Sequence, residues 1–279
     1  MALKDLLVHI DLSDAGRSRA DYGFDLAEAQ RAHVIGVGYA PVGIVPFYGA
    51  PDLFMPPPVE YFEKLRDEAG KALEAFAAAG KRRGLSTETR LIETSGIDFA
   101  AAFCVHARHA DLTLIGQPQD DMMAGGQHAL LEQLLFGSGR PVLVTPWTGA
   151  GKADPATVMI AWDGSGTAAR AVNDALPFLQ RAKTVVVLAI DDGRADIGEQ
   201  PGADIARHLA RHGIDVSTRD VPGGRDIAVG DLLLSQAADL GAELMVMGGY
   251  HHSRVREYVL GGVTRTIVNT MTLPVLMAH

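Results

Sequence analysis

A single cysteine, Cys104, stands in 279 residues. It has no partner for an intramolecular disulfide and no companions for a thiolate metal site. It falls in the apolar run from Phe99 to Val105, which predicts a buried, inert core thiol. Long hydrophobic runs are also missing: none approaches the ~20 residues that a membrane-crossing helix needs. Basic residues are outnumbered, 25 Lys and Arg against 34 Asp and Glu, so the chain carries a net charge of −9. That balance argues against a nucleic acid or an anionic membrane surface as the main partner, while leaving room for a small local basic site. The opening Met1-Ala2-Leu3-Lys4-Asp5 meets an acid before any signal-like apolar region develops, and a cytoplasmic protein is expected. No Walker loop, Gly-x-Ser-x-Gly elbow or pair of catalytic carboxylates can be recognised, so no enzyme is expected.

What is present is a globular composition, 47% hydrophobic and 21% charged, long enough for one large domain or two ordinary ones. Leu6-Leu7-Val8-His9-Ile10 reads as a buried strand that stops at Asp11. A helix follows from about residue 16 to 31, with Tyr22, Leu26 and Ala29 on one face and Ser13 or Asp14 as its N-cap. Residues 34–39 read as a second strand. Six prolines then fall between 41 and 58, with Phe47, Tyr48 and Phe54 among them; this stretch reads as an irregular lid or a flap. Phe62, Leu65, Ala69, Leu73 and Phe76 step at three or four residues and predict an amphipathic helix over 61–81. A strand over 86–92, a helix over 98–109, and strands at 112–115 and 141–144 complete the first part.

The order then restarts. Val158-Met159-Ile160-Ala161-Trp162-Asp163-Gly164-Ser165 repeats residues 6–13 as strand, acid and polar turn. Strands at 185–190, 216–221 and 244–247 follow, and Pro274-Val275-Leu276-Met277 repeats Pro141-Val142-Leu143-Val144. Asp11 and Asp163 are 152 residues apart, whereas Gly116 and Gly248 are 132 apart and Pro141 and Pro274 are 133 apart. The register holds apart from about twenty extra residues in the first half, which points to an internal duplication. We therefore expect domains at 1–147 and 156–279 joined by a linker at 148–155. Alternating strands and helices call for a parallel sheet in each half, with ligands beyond the carboxyl ends of the strands. Asp11, Gly116, Asp163 and Gly248 all stand at such ends.

These features resemble the universal stress protein family. They are the strand followed by Asp163-Gly164-Ser165, the late strand ending in Gly248, the loop and helix with Gly261, and the closing Pro-Val-Leu. The resemblance covers both halves and is identified with tandem, two-domain members. It implies two open α/β sheets of the Rossmann-like, adenine nucleotide alpha-hydrolase-like kind, packed as an intramolecular pseudo-dimer. Many members bind ATP or a related adenine nucleotide; others bind none. The binding members share a loop of Gly, two residues, Gly, nine residues, Gly, then Ser or Thr. Laid on this sequence, the glycines fall on Gly248, His251 and Gly261, and the hydroxyl position on Gly262. His251 puts a side chain where a glycine would be, although histidine tolerates positive φ better than most residues. Gly262 lacks the hydroxyl but keeps a backbone N–H near a helix start, and Thr264 lies two residues on. Arg254, Arg256 and Arg265 against Glu257 make the loop locally basic. The implied nucleotide site is therefore Asp163, Gly164, Gly248, His251, Gly261, Gly262 and Thr264, holding ATP or AMP.

In the first half the stretch after Gly116 is Gln117-Pro118-Gln119-Asp120-Asp121, acidic and one N–H short, and no triphosphate is expected there. Asp163 reads either as the acid that faces a ribose or adenine or as a turn acid. His251-His252 invites a metal, but no third ligand lies at a suitable spacing, and His106 and His109 fare no better. No metal site is expected. The functional classes left are a nucleotide-binding stress protein, a tandem interaction or dimerisation module without nucleotide, and a slow ATPase. The protein partner is not specified, and two tandem chains could associate further.

Overall fold

The computed structural model describes residues 2–42, 58–95, 98–118, 127–191, 202–223, 227–249 and 262–279. The chain divides into two compact units, Ala2–Ala153 and Asp154–His279. The first runs β1 (Asp5–His9), α1 (Asp14–Gln30), β2 (His33–Pro41), α2 (Val59–Arg82), β3 (Thr87–Thr94), α3 (Phe99–Ala107), β4 (Leu112–Gly116), α4 (Gln127–Gly137) and β5 (Val142–Thr145). The second runs β6 (Thr157–Ala161), α5 (Gly166–Asp174), α6 (Leu176–Leu179), β7 (Thr184–Asp191), α7 (Ala203–Arg211), β8 (Val216–Pro222), α8 (Val229–Asp239), β9 (Leu244–Gly248), α9 (Gly262–Thr270) and β10 (Val275–Ala278).

All strand pairings within each unit are parallel, in the order β3-β2-β1-β4-β5 in the first and β8-β7-β6-β9-β10 in the second. The central strands are continuous apolar runs because helices cover both faces of such a sheet. Leu6, Leu7 and Val8 of β1 and Leu244, Met245 and Val246 of β9 are fully buried. In each unit the chain steps outward from the first strand, then crosses back to pair the fourth strand on its other side. That reversal opens a crevice beyond the carboxyl ends of β1 and β4, and likewise of β6 and β9.

The duplication holds at the level of register. Leu6 pairs Leu112 as Val158 pairs Leu244, which makes Gly116 and Gly248 equivalent. The amide of Gln117 donates to Thr145 at 2.8 Å, as that of Gly249 does to Ala278 at 2.8 Å. Each first helix is capped by a serine three residues before its first free turn: Ser13 Oγ accepts from Gly16 N at 2.9 Å and Ser165 Oγ from Ala168 N at 3.0 Å. Of the two expected caps, Ser13 is therefore the one used. Such caps stabilise a helix by about 1 kcal/mol.

The strong amphipathic helix at 61–81 is α2, and Ala69, Leu73 and Phe76 face the core. Phe76 stacks on Phe24 of α1 at 4.7 Å between centroids. It also lies over Gly36 of β2, where a Cβ would stand 2.7 Å from the ring. Glycine in this strand is explained by that approach. His109, expected on a helix with His106, lies past the end of α3. Residues 43–57, most of the proline-rich stretch, lie outside the described residues. Among the described residues no helix is long and apolar enough to cross a membrane.

Candidate functional site

The two crevices start from the same sequence plan and end in different chemistry. In the first, the Asp11 carboxylate is used on both oxygens. Oδ1 accepts from the Ser13 amide at 2.8 Å and from the Ser13 hydroxyl, while Oδ2 accepts from Arg19 Nη2 at 2.5 Å. Burial opposes ionisation of Asp11, but the charge of Arg19 and the bonds from Ser13 outweigh it and hold the carboxyl below its ordinary 3.8. Arg19 comes from the inner face of α1 and is only 2% exposed. Its Nε donates to the His9 carbonyl at 2.7 Å, and its Nη1 lies so close to Gly116 that a Cβ there would stand 2.5 Å away.

Beside this pair the edge is filled with rings. His9, the last residue of β1, lies 5.8 Å from Phe99 and 5.7 Å from Phe103, and Tyr39 of β2 packs on Phe99 at 4.2 Å. Burial, then the charge of Arg19, pushes the His9 imidazole down to about 4, with Asp11 opposing weakly.

The second crevice lacks every one of these fillers. Counting from the two capping serines, Arg19 corresponds to Ala171, and from the strand pairings His9 corresponds to Ala161 and Tyr39 to Ile190. α8 carries no aromatic where α3 carries Phe99 and Phe103. Asp163 accepts from the Ser165 amide at 3.0 Å on Oδ1, and among the described residues no cation pairs with it. The turn-acid reading of Asp163 is thus correct for one oxygen and leaves the other for a further donor. Gly164 beside it has φ +74°, a conformation that glycine adopts without strain, whereas Leu12 in the first half has no positive φ.

Gly248 ends β9 under the N-terminal turn of α5. A Cβ there would stand 2.6 Å from the Ala168 amide nitrogen and 2.6 Å from Thr167 Oγ1. The two equivalent glycines are therefore needed for different reasons: Gly116 makes room for a guanidinium, Gly248 for a helix backbone. Backbone cannot step aside as a side-chain tip can, so Gly248→Ala should destabilise the second unit by about 1–3 kcal/mol. Chemical denaturation followed through Trp162, which lies in that unit, measures it.

Of the remaining expected site residues, Gly262 opens α9, is exposed, and has open space around the position of a Cβ. Thr264 lies two residues on, on the same helix. It is 3% exposed and shares the inner face of α9 with Ile267 and Val268, because positions three and four apart point the same way. His251 and Gly261 lie outside the described residues, as do Arg254, Arg256, Glu257 and His252; Arg265 is exposed on α9. The structure thus brings Asp163, Gly164 and Gly248 to one strand edge. Among the described residues no group of three His, Cys, Asp or Glu could hold a metal ion. Cys104 is fully buried; burial raises its thiol pKa, and Sγ donates to the Gln133 carbonyl at 3.4 Å.

Sequence reading missed Arg19. The signal was there: Gly16, Arg19, Gly23 and Leu26 share one buried stripe of α1, and an arginine on such a stripe needs a buried partner.

Residues 156–279 match the model of the universal stress protein family. No curated protein matches the chain. Among solved structures, a universal stress protein from Archaeoglobus fulgidus DSM 4304 aligns over 98% of this chain and 97% of its own, with TM-score 0.69 and 15% identity. A functionally unknown protein from Pseudomonas aeruginosa PAO1 aligns over 99% of this chain and 92% of its own, with TM-score 0.61 and 17% identity. A universal stress protein solved in complex with cAMP matches 45% of this chain and 98% of its own at 25% identity, with TM-score 0.35. The family match thus covers the second half, residues 156–279, and the whole chain, with the same strand order in both halves, shares its fold with the Archaeoglobus universal stress protein.

Proposed function

We propose that this chain is a non-enzymatic stress-response protein that binds an adenine nucleotide, ATP or AMP, in its second half. The observation that carries the reading is the edge beyond β6 and β9, which among the described residues holds no side chain equivalent to Arg19 or His9. Asp163 keeps an oxygen for a ribose or base donor, and Ala161 and Ala171 leave space where the first half places His9 and Arg19. The start of α9 at Gly262 supplies backbone N–H groups to an anion. In this reading the nucleotide acts as a signal rather than a substrate. The protein acts in the cytoplasm, and association of two tandem chains belongs to the same reading.

Calorimetric titration with ATP, ADP and AMP tests it. Heat with a stoichiometry of one per chain is expected, weakened at least tenfold, about 1.4 kcal/mol, by Asp163→Ala. Absence of heat and of any melting shift at millimolar nucleotide would leave the tandem interaction module as the better reading. That alternative draws support from the buried Thr264 and the missing hydroxyl at Gly262. Phosphate release from ATP above the protein-free background, lost in Asp163→Ala, would instead make it a slow ATPase.

A further inference from the structure

We propose that Arg19 is a built-in occupant of the first half's ligand edge: its guanidinium fills, from within the chain, the place where the second half carries only Ala171 on the equivalent helix. Three walls of the crevice hold it. The carbonyl at the end of β1 takes Nε at 2.7 Å, the Asp11 carboxylate takes Nη2 at 2.5 Å, and Nη1 lies against Gly116 at the end of β4, where a Cβ would stand 2.5 Å from it. Each wall is a strand terminus or the loop just beyond one, which is where a diffusible ligand binds in an open parallel sheet. The guanidinium is planar and forked, and it meets here a carboxylate and a carbonyl set apart at its own donor positions.

Stability alone does not call for this arrangement. A buried ion pair stabilises little more than apolar side chains of the same volume, because both charges lose their hydration. The second unit builds the same strand order with alanine at the corresponding helical position, so the fold does not require an arginine there. What Arg19 does is saturate Asp11 and close the crevice, and His9, Tyr39, Phe99 and Phe103 fill the remainder. The first half is therefore closed by its own side chains, in addition to the changed loop after Gly116. This holds whether or not the second half binds nucleotide.

Removing the occupant should leave a site for its chemical class. In the full-length chain, Arg19→Ala vacates a pocket bounded by an unpaired carboxylate and a free carbonyl, which suits an alkylguanidinium. Thermal melting in ethylguanidinium and in ethylammonium reads this directly. Arg19→Ala should melt below the unaltered chain and be restored by millimolar ethylguanidinium, not by ethylammonium, which lacks the planar fork. The unaltered chain and the double variant Arg19→Ala, Asp11→Asn should not respond. An Arg19→Ala chain that melts like the unaltered one, or an equal response in all three, would overturn the proposal. Should Arg19→Ala fail to fold, the unaltered chain still decides. The Arg19 Nε–H should exchange with solvent far more slowly than that of exposed Arg265, and Gly116→Ala should abolish the difference by displacing the guanidinium. Equal exchange of the two arginines would sink the idea.

Discussion

Asp11→Ala should destabilise the first unit by about 2–4 kcal/mol, whereas Asp163→Ala should cost the second unit under about 1 kcal/mol. The two acids stand at equivalent strand ends and make the same turn bond to a serine amide, at 2.8 and 3.0 Å. They differ in what lies behind them. Removing Asp11 strands the charge of Arg19, 3% exposed at its side chain, with the His9 carbonyl as its remaining hydrogen-bond partner among the described residues. Breaking a buried pair from one side costs about 3–5 kcal/mol, and the estimate is reduced because water reaches Asp11 itself. Removing Asp163 strands nothing among the described residues. The chain's two tryptophans, Trp147 and Trp162, lie one in each unit, so single-tryptophan variants followed in denaturant separate the two effects. Equal losses at the two positions would mean that the pair with Arg19 is not what distinguishes the crevices.

The second large effect is one of pH. His9 has an ordinary pKa of 6.5 that its surroundings push down to about 4 in the folded chain. Between those values the unfolded chain binds a proton that the folded chain does not, so stability rises with pH there. The contribution is present above pH 6.5 and is lost as pH falls toward 4. A shift of this size corresponds to about 3 kcal/mol, nearer 2 once solvent at the partly exposed ring is allowed for. Asp11 extends the loss to lower pH, since a carboxyl held below 3.8 contributes stability that disappears as it protonates. His9→Phe keeps the ring contacts to Phe99 and Phe103 and removes the titrating group. Its denaturation midpoint, read through Trp147, should be nearly flat between pH 6.5 and 4 while that of the unaltered chain falls. A parallel fall in both would assign the acid sensitivity elsewhere.

Much of the fold was legible in the residues because it rests on local pattern. The continuous apolar runs at 6–8 and 244–247 mark strands buried on both faces, and the spacing of Leu73 and Phe76 marks a helix with one inward face. Ser13 and Ser165 mark helix starts. The offsets of 132 from Gly116 to Gly248 and 133 from Pro141 to Pro274 could be read before any contact was known, and the sheet register agrees with them. That Asp163, Gly164 and Gly248 stand at neighbouring strand ends was legible for the same reason, since strand ends can be located from the runs that precede them.

The occupant of the first crevice was not legible in that way. Arg19 reaches Asp11 across eight residues and Gly116 across most of the unit, and nothing in its neighbours announces either contact. The sequence reading laid the loss of the first site on the loop after Gly116, whose proline and acids are visible locally. The burial of Thr264 was not legible from its nearness to Gly262 either: the turn of α9 carries it inward with Ile267 and Val268.

By itself, then, the sequence determined two repeated α/β units with parallel sheets and the strand ends at which a ligand would sit. Those follow from hydrophobic periodicity and turn chemistry, which act over a few residues. Only the tertiary structure decided that one of those ends is occupied by the chain's own arginine, while among the described residues nothing takes the equivalent place at the other. That outcome depends on which side chains from separate elements converge at a strand terminus, and on a buried guanidinium having to find its partners there.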